Sequence, residues 1–170
     1  MKRTATWTAA LIVILGATLG IPHAALAADQ TVATAGAGGL YPSGTSFMAV
    51  SVSGLQLAFG AEVHADGNGL GNFTAVLLGL SAAGLEQNIK IQGAVTAGTR
   101  NAVNVAVLSG TATLDLGDGT PAMPGVPFTA TLTTGTNNLG TVGLDIVGFS
   151  TLPNATLNAG SLALRTVLVE

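Results

Sequence analysis

Cysteine is absent from this 170-residue chain, which excludes a disulfide framework, a thiolate metal centre and a cysteine nucleophile. Basic side chains are nearly as scarce: five Lys and Arg in all are too few to track a phosphate backbone, so nucleic acid is excluded as a partner. Aromatic residues make up 4% of the chain, with one Trp, at position 7, and one Tyr, at position 41. Sugar-binding sandwiches stack rings on exposed aromatics, so this supply disfavours a carbohydrate-binding module. Charged residues amount to only 8%, beside 24 glycines, which fits neither a charge-rich disordered chain nor a helical bundle.

What is present begins with an export pattern. Lys2 and Arg3 precede an apolar run over residues 11–21, and Ala25-Leu26-Ala27 follows it. This is the layout of a cleaved secretory signal peptide, residues 1–27. The run is shorter than the roughly 20 residues that a bilayer-spanning helix needs, so no stable membrane insertion is expected after cleavage. Loss of the segment removes two of the five basic residues and leaves three basic against eight acidic side chains, a formal charge of −5. The remaining chain is expected to be secreted, extracellular or periplasmic, and its length suits one domain.

Residues 28–45 are rich in Ala, Gly and Thr without a sustained apolar period, and read as a flexible leader. A strand at Thr31 to Thr34 that pairs with a neighbouring molecule is the competing reading. From residue 46 to 170 the dominant signal is period two, the mark of strands buried on one face. Leu55, Leu57, Phe59, Ala61 and Val63 alternate with Gln56, Ala58, Gly60, Glu62 and His64. The same holds around Ile89 and Ile91, from Val126 to Leu132, from Val142 to Ile146 and from Leu162 to Leu168. Between Val107 and Ala112 the apolar parity changes, so Ser109-Gly110 is expected to be a bulge, bend or break. Turn chemistry falls at residues 66–69, 97–99, 118–121, 135–138 and 153–154, and one short helix is plausible near Ser81 to Gln87. Phe73-Thr74-Ala75-Val76-Leu77 and Phe128-Thr129-Ala130-Thr131-Leu132 each follow a strand and an Asp-Gly turn, a weak internal repeat. The expected fold is all-β: a single-domain antiparallel β-sandwich or small β-barrel of about eight or nine strands.

Candidate chemistry is sparse. Glu62, His64 and Asp66 share one parity of a strand and are the weak candidates for a metal site. Strand residues two apart stand about 6.6–7 Å from one another, so a shared ion would need ligands from other strands; a solvated outer face is the preferred reading. The turns at Asp66-Gly67-Asn68-Gly69 and residues 115–119 lack the ligand spacing of a calcium loop. No G-x-S-x-G elbow accompanies the serines, and no carboxylate pair stands out for glycoside hydrolysis. Neither catalysis nor a cofactor is therefore expected. A transmembrane β-barrel would need aromatic girdles that this chain has no tryptophan to build once residues 1–27 are gone. The leading expectation is a secreted, non-catalytic structural or interaction module at the cell surface or in the extracellular matrix, self-associating or meeting a protein partner through strand edges. The alternative is a small barrel that binds an apolar molecule.

Overall fold

A strand with one face against a core alternates large apolar residues with small or polar ones, and a ring of such strands needs no edge if the last pairs with the first. Both conditions are met in the computed structural model, which describes residues 29–149 and 151–168. The expected signal peptide, residues 1–27, lies outside them. The elements are β1 (Asp29–Leu40), β2 (Ser46–Phe47), β3 (Val50–Val63), β4 (Asn68–Leu80), β5 (Ile89–Ala102), β6 (Val105–Asp115), β7 (Met123–Thr134), β8 (Gly140–Ile146) and β9 (Ala155–Leu168), with a 3-10 turn at Thr136–Asn138. Neighbours pair antiparallel in the order β1, β3, β4, β5, β6, β7, β8, β9, and β9 returns to β1. The result is a closed eight-stranded barrel, with β2 as an extra short strand on β3. Of the two expected architectures it is the barrel, and not the sandwich.

The expected alternation holds on most strands. Leu55, Leu57, Phe59, Ala61 and Val63 of β3 point inward, as do Ile89, Ile91 and Val95 of β5 and Val142, Leu144 and Ile146 of β8. Both copies of the Phe-Thr-Ala-x-Leu motif turn Phe, Ala and Leu inward, on β4 and β7. An eight-stranded barrel is just wide enough for side chains to fill. Three rings occupy the waist here: Phe73 stacks on Phe59 at 6.1 Å and on Phe128 at 4.6 Å. The outward faces carry small or polar residues, among them Thr34, Gln56, Ala58, Gln92, Thr111 and Thr131.

Four expectations are corrected. The supposed leader contains β1, paired over ten positions with β3 and over twelve with β9, so residues 29–40 belong to the barrel, which does not start at residue 46. Its inward positions are Thr31, Ala33 and Gly39, too small to leave an apolar period in the sequence. β6 runs unbroken through Ser109-Gly110, with Ala106, Leu108, Ala112 and Leu114 inward and its valines facing out. Branched valines suit either face of a pleated surface, so they do not report orientation. The irregularity lies on the facing strand, where the register shifts between Val95 and Ala97. A Cβ at Gly110 would overlap the Ala94 carbonyl oxygen, so the two backbones approach there as only glycine permits. Residues 97–99 therefore belong to β5 rather than to a turn, and the β5–β6 connection is made at Val103-Asn104. Residues 81–87 form turns, not a helix.

Alternating strand directions sort the connections into two groups. The links β1–β3, β4–β5, β6–β7 and β8–β9 gather at a long-loop end. The short turns β3–β4, β5–β6 and β7–β8, together with the start of β1 and the finish of β9, form the opposite, short-turn end. One seam is lightly stitched: among the described residues β8 pairs with β9 at Thr141↔Thr156 and Val142↔Ala155 alone.

Candidate functional site

The three titratable residues singled out by the sequence stand at the short-turn end, all exposed. Glu62 faces outward on β3 and accepts a hydrogen bond from Gln30 Nε2 at 2.8 Å. His64 opens the β3–β4 turn, where its backbone N–H donates to Asn68 O at 2.9 Å. Asp66 accepts from the backbone N–H of Asn68 at 3.0 Å and from its Nδ2 at 2.7 Å. Those bonds, backbone first, hold the Asp66 carboxyl below the usual carboxylate range, and the nearby His64 adds to the effect. The carboxylate is thus committed to shaping its own turn. Among the described residues no group of three His, Asp or Glu side chains is placed to hold a metal ion.

The second Asp-Gly segment is built the same way. Asp115 Oδ1 accepts from Gly117 N at 2.9 Å, and Asp118 Oδ1 accepts from the Thr120 hydroxyl at 2.6 Å and its N–H at 2.9 Å. Thr120 thereby lowers the Asp118 pKa, the hydroxyl bond most. Both segments are side-chain-stabilised turns.

A concavity that the sequence did not announce lies at the long-loop end. It is an open cleft of about 420 Å³ between the β2–β3 turn, the β4–β5 loop and the start of the β6–β7 loop, floored by Phe47, Val50, Ile89 and Leu116 and edged by Ser81, Gln87 and Asp118. Sequence folds these loops in identifiable ways. Gly84 N donates to Ser81 O at 2.8 Å, Ser81 N to Leu85 O at 2.8 Å, and Gln87 Nε2 reaches Leu116 O at 2.9 Å, tying two loops together. Phe47 is fully buried and its ring stacks on Phe149 at 5.7 Å, closing the barrel beneath. Met48, on the cleft wall, is half exposed and holds φ at +54°. That conformation costs a non-glycine residue about 1–3 kcal/mol and is kept where the surroundings demand it. Large exposed apolar side chains, Leu80 and Leu85, flank the same loop.

Met48 and Leu85, apolar residues in segments without strand periodicity, mark this end in the sequence without showing which residues share the floor. Tyr41 is at this end too: it is buried, its hydroxyl has no hydrogen-bond partner among the described residues, and burial pushes its pKa well up. None of the six described aromatics is exposed, so no stacking platform for sugars is presented among them. Comparison of the chain with known protein families, with characterised proteins and with solved structures finds no match in any of the three.

Proposed function

We propose that this protein is a non-catalytic binding module that holds a small apolar molecule in the long-loop mouth of its barrel. One observation carries the reading: a cleft of about 420 Å³ with an apolar floor and few polar groups at its edge, within the roughly 300–1,000 Å³ of small-molecule sites. The interior itself is a poor compartment, because the stacked rings of Phe59, Phe73 and Phe128 fill its waist. Asp118 stays ionised at the edge of the cleft, which disfavours an anionic guest and favours a neutral or cationic one. The inert exterior and the secretory layout of residues 1–27 support a place outside the cytoplasm.

The test is titration with N-phenyl-1-naphthylamine, a neutral apolar fluorophore, against the wild type and Ala83→Trp, which fills the cleft. Stoichiometric binding that Ala83→Trp abolishes, with fatty alcohols competing better than fatty acids of equal length, is the expected result. Equal binding by a folded Ala83→Trp protein would overturn the reading.

A second reading, recruitment of a protein or a second copy by strand addition, is favoured by the seam. Past Thr156, β9 continues to pair with β1, but no ladder joins it to β8 among the described residues. Sedimentation velocity across a wide concentration range tests it; a monomer throughout, with no concentration-dependent amide protection in residues 157–167, would count against it.

A further inference from the structure

The short-turn end presents a second cleft, also of about 420 Å³, and its chemistry is the opposite of the first. It is lined by Thr31, His64, Thr99, Arg100 and Thr166 over Val63. Arg100 decides its character. The register of β5 shifts on either side of this residue, between Val95 and Ala97 and again between Arg100 and Ala102. Its side chain hydrogen-bonds β9, four strands away around the ring in either direction. The guanidinium therefore lies across the mouth and not along the outer wall.

Every acceptor that Arg100 has among the described residues is a neutral oxygen. Nε donates to Ala102 O at 3.2 Å, Nη2 to Val103 O at 2.5 Å, and Nη1 to the Thr166 hydroxyl. Five N–H donors are available to an arginine, so each terminal nitrogen keeps one uncommitted. A half-buried cation with only neutral partners leaves charge unbalanced in a partly desolvated place. The other two basic side chains described, Lys90 and Arg165, are exposed. Among the described basic side chains, Arg100 is thus the one that combines a concave setting with unused, forked donors.

We propose that this mouth binds a small monocarboxylate, anchored on Arg100. Guanidinium and carboxylate match as planar two-pronged partners, and Thr31 and Thr99 line the same cleft, the Thr99 hydroxyl donating to Asn101 Oδ1 at 3.1 Å. One positive charge favours one negative charge. Asp66 and Glu62 stand exposed at the same end and repel a second, which argues against a phosphate dianion. The apolar Val63 beneath favours a carboxylate with a hydrocarbon body.

The experiment follows the Arg100 Nε–H and backbone amides by nitrogen–proton correlation spectra while benzoate, acetate or inorganic phosphate is added at constant ionic strength. Benzoate is expected to produce saturable shifts confined to Arg100, Thr31, His64 and Thr99, with acetate weaker and phosphate without effect. Arg100→Gln weakens benzoate binding at least tenfold, whereas Arg165→Gln leaves it within twofold. If Arg100→Gln fails to fold, Thr166→Val supplies the test, because freeing an N–H on Nη1 should tighten benzoate about threefold. Glu170→Gln, two residues past the last described, should not change affinity. No saturable shift, equal binding by folded Arg100→Gln, unchanged or weaker binding by Thr166→Val, or a tenfold gain from Glu170→Gln would each overturn the proposal, the last by showing that the chain's own carboxylate already holds the guanidinium.

Discussion

Phe73 is the middle ring of the stack that fills the barrel, and Phe73→Ala measures what that stack contributes. The side chain is 1% exposed. Burying a phenylalanine of this kind stabilises by about 1.5–3 kcal/mol. Its two ring contacts, at 6.1 Å and 4.6 Å, add about 0.5–1.5 kcal/mol each. Together these give a loss of about 2.5–6 kcal/mol, in line with the roughly 3–5 kcal/mol found for buried phenylalanine truncations. Against a total stability of about 5–15 kcal/mol, that is about a sixth or more of what holds the domain. The melting temperature should fall by about 10–20 °C for a domain of this size. Urea titration followed by far-ultraviolet circular dichroism is the assay, since no tryptophan lies among the described residues. Phe59→Ala, at 7% exposure with one stacked neighbour, should cost less by about one ring contact. Added benzene should restore part of the stability of Phe73→Ala, because a dry apolar void accepts such a guest. A loss below about 1 kcal/mol, or a larger loss for Phe59→Ala than for Phe73→Ala, would refute the idea that rings at the waist carry the packing.

Three further outcomes are expected. Gly110→Ala should cost about 2 kcal/mol or more, because the new methyl meets the Ala94 backbone, while Gly36→Ala, with open space around it, should stay within about 0.5 kcal/mol; thermal melts compare them. Tyr41→Phe should be neutral or stabilising by about 1 kcal/mol, since it removes a buried hydroxyl without a partner among the described residues, and the wild-type tyrosine should ionise only well above the ordinary range. Carbon-detected titration should find the Asp66 and Asp118 carboxyls below the ordinary range. A folded pKa depressed in this way contributes stability that is present above the unfolded value, about 3.9, and is lost as pH falls through the folded one. Thr120→Ala should move Asp118 back toward the ordinary value by more than Asn68→Ala moves Asp66, since a side-chain bond leads in the first case and a backbone bond in the second.

Where large and small residues alternate, the sequence was sufficient to orient a strand: β3, most of β5, β7 and β8 could be read directly. It failed where the inside is small. β1 places Thr31, Ala33 and Gly39 toward the core, and their only apolar signature is the absence of bulk that lets neighbouring strands and the ring stack come close. The β6 valines misled for a related reason, because outward positions half covered by neighbours accept the same residues as a core does. The Val103-Asn104 turn escaped notice because it contains no glycine, aspartate or proline. The long-loop cleft was invisible because Phe47, Ile89 and Leu116 come from three separate stretches of chain, and nothing local announces that they share a floor. Glu62, His64 and Asp66 drew attention through charge alone, and the partners of the two carboxylates proved to be amides, Gln30 for Glu62 and Asn68 for Asp66.

The pairing of β1 with β9 also sets how the domain answers to tension. Asp29 stands opposite Leu168 in the ladder, so the two strands present their outer ends side by side at the same end of the barrel. A pull applied through both flanks would load the β1–β9 hydrogen bonds one after another, like the teeth of a zip, rather than all twelve pairs at once. Tethered at one flank only, the barrel feels no such peeling. The barrel is therefore weak against a pull between its two flanks and indifferent to one applied at a single flank.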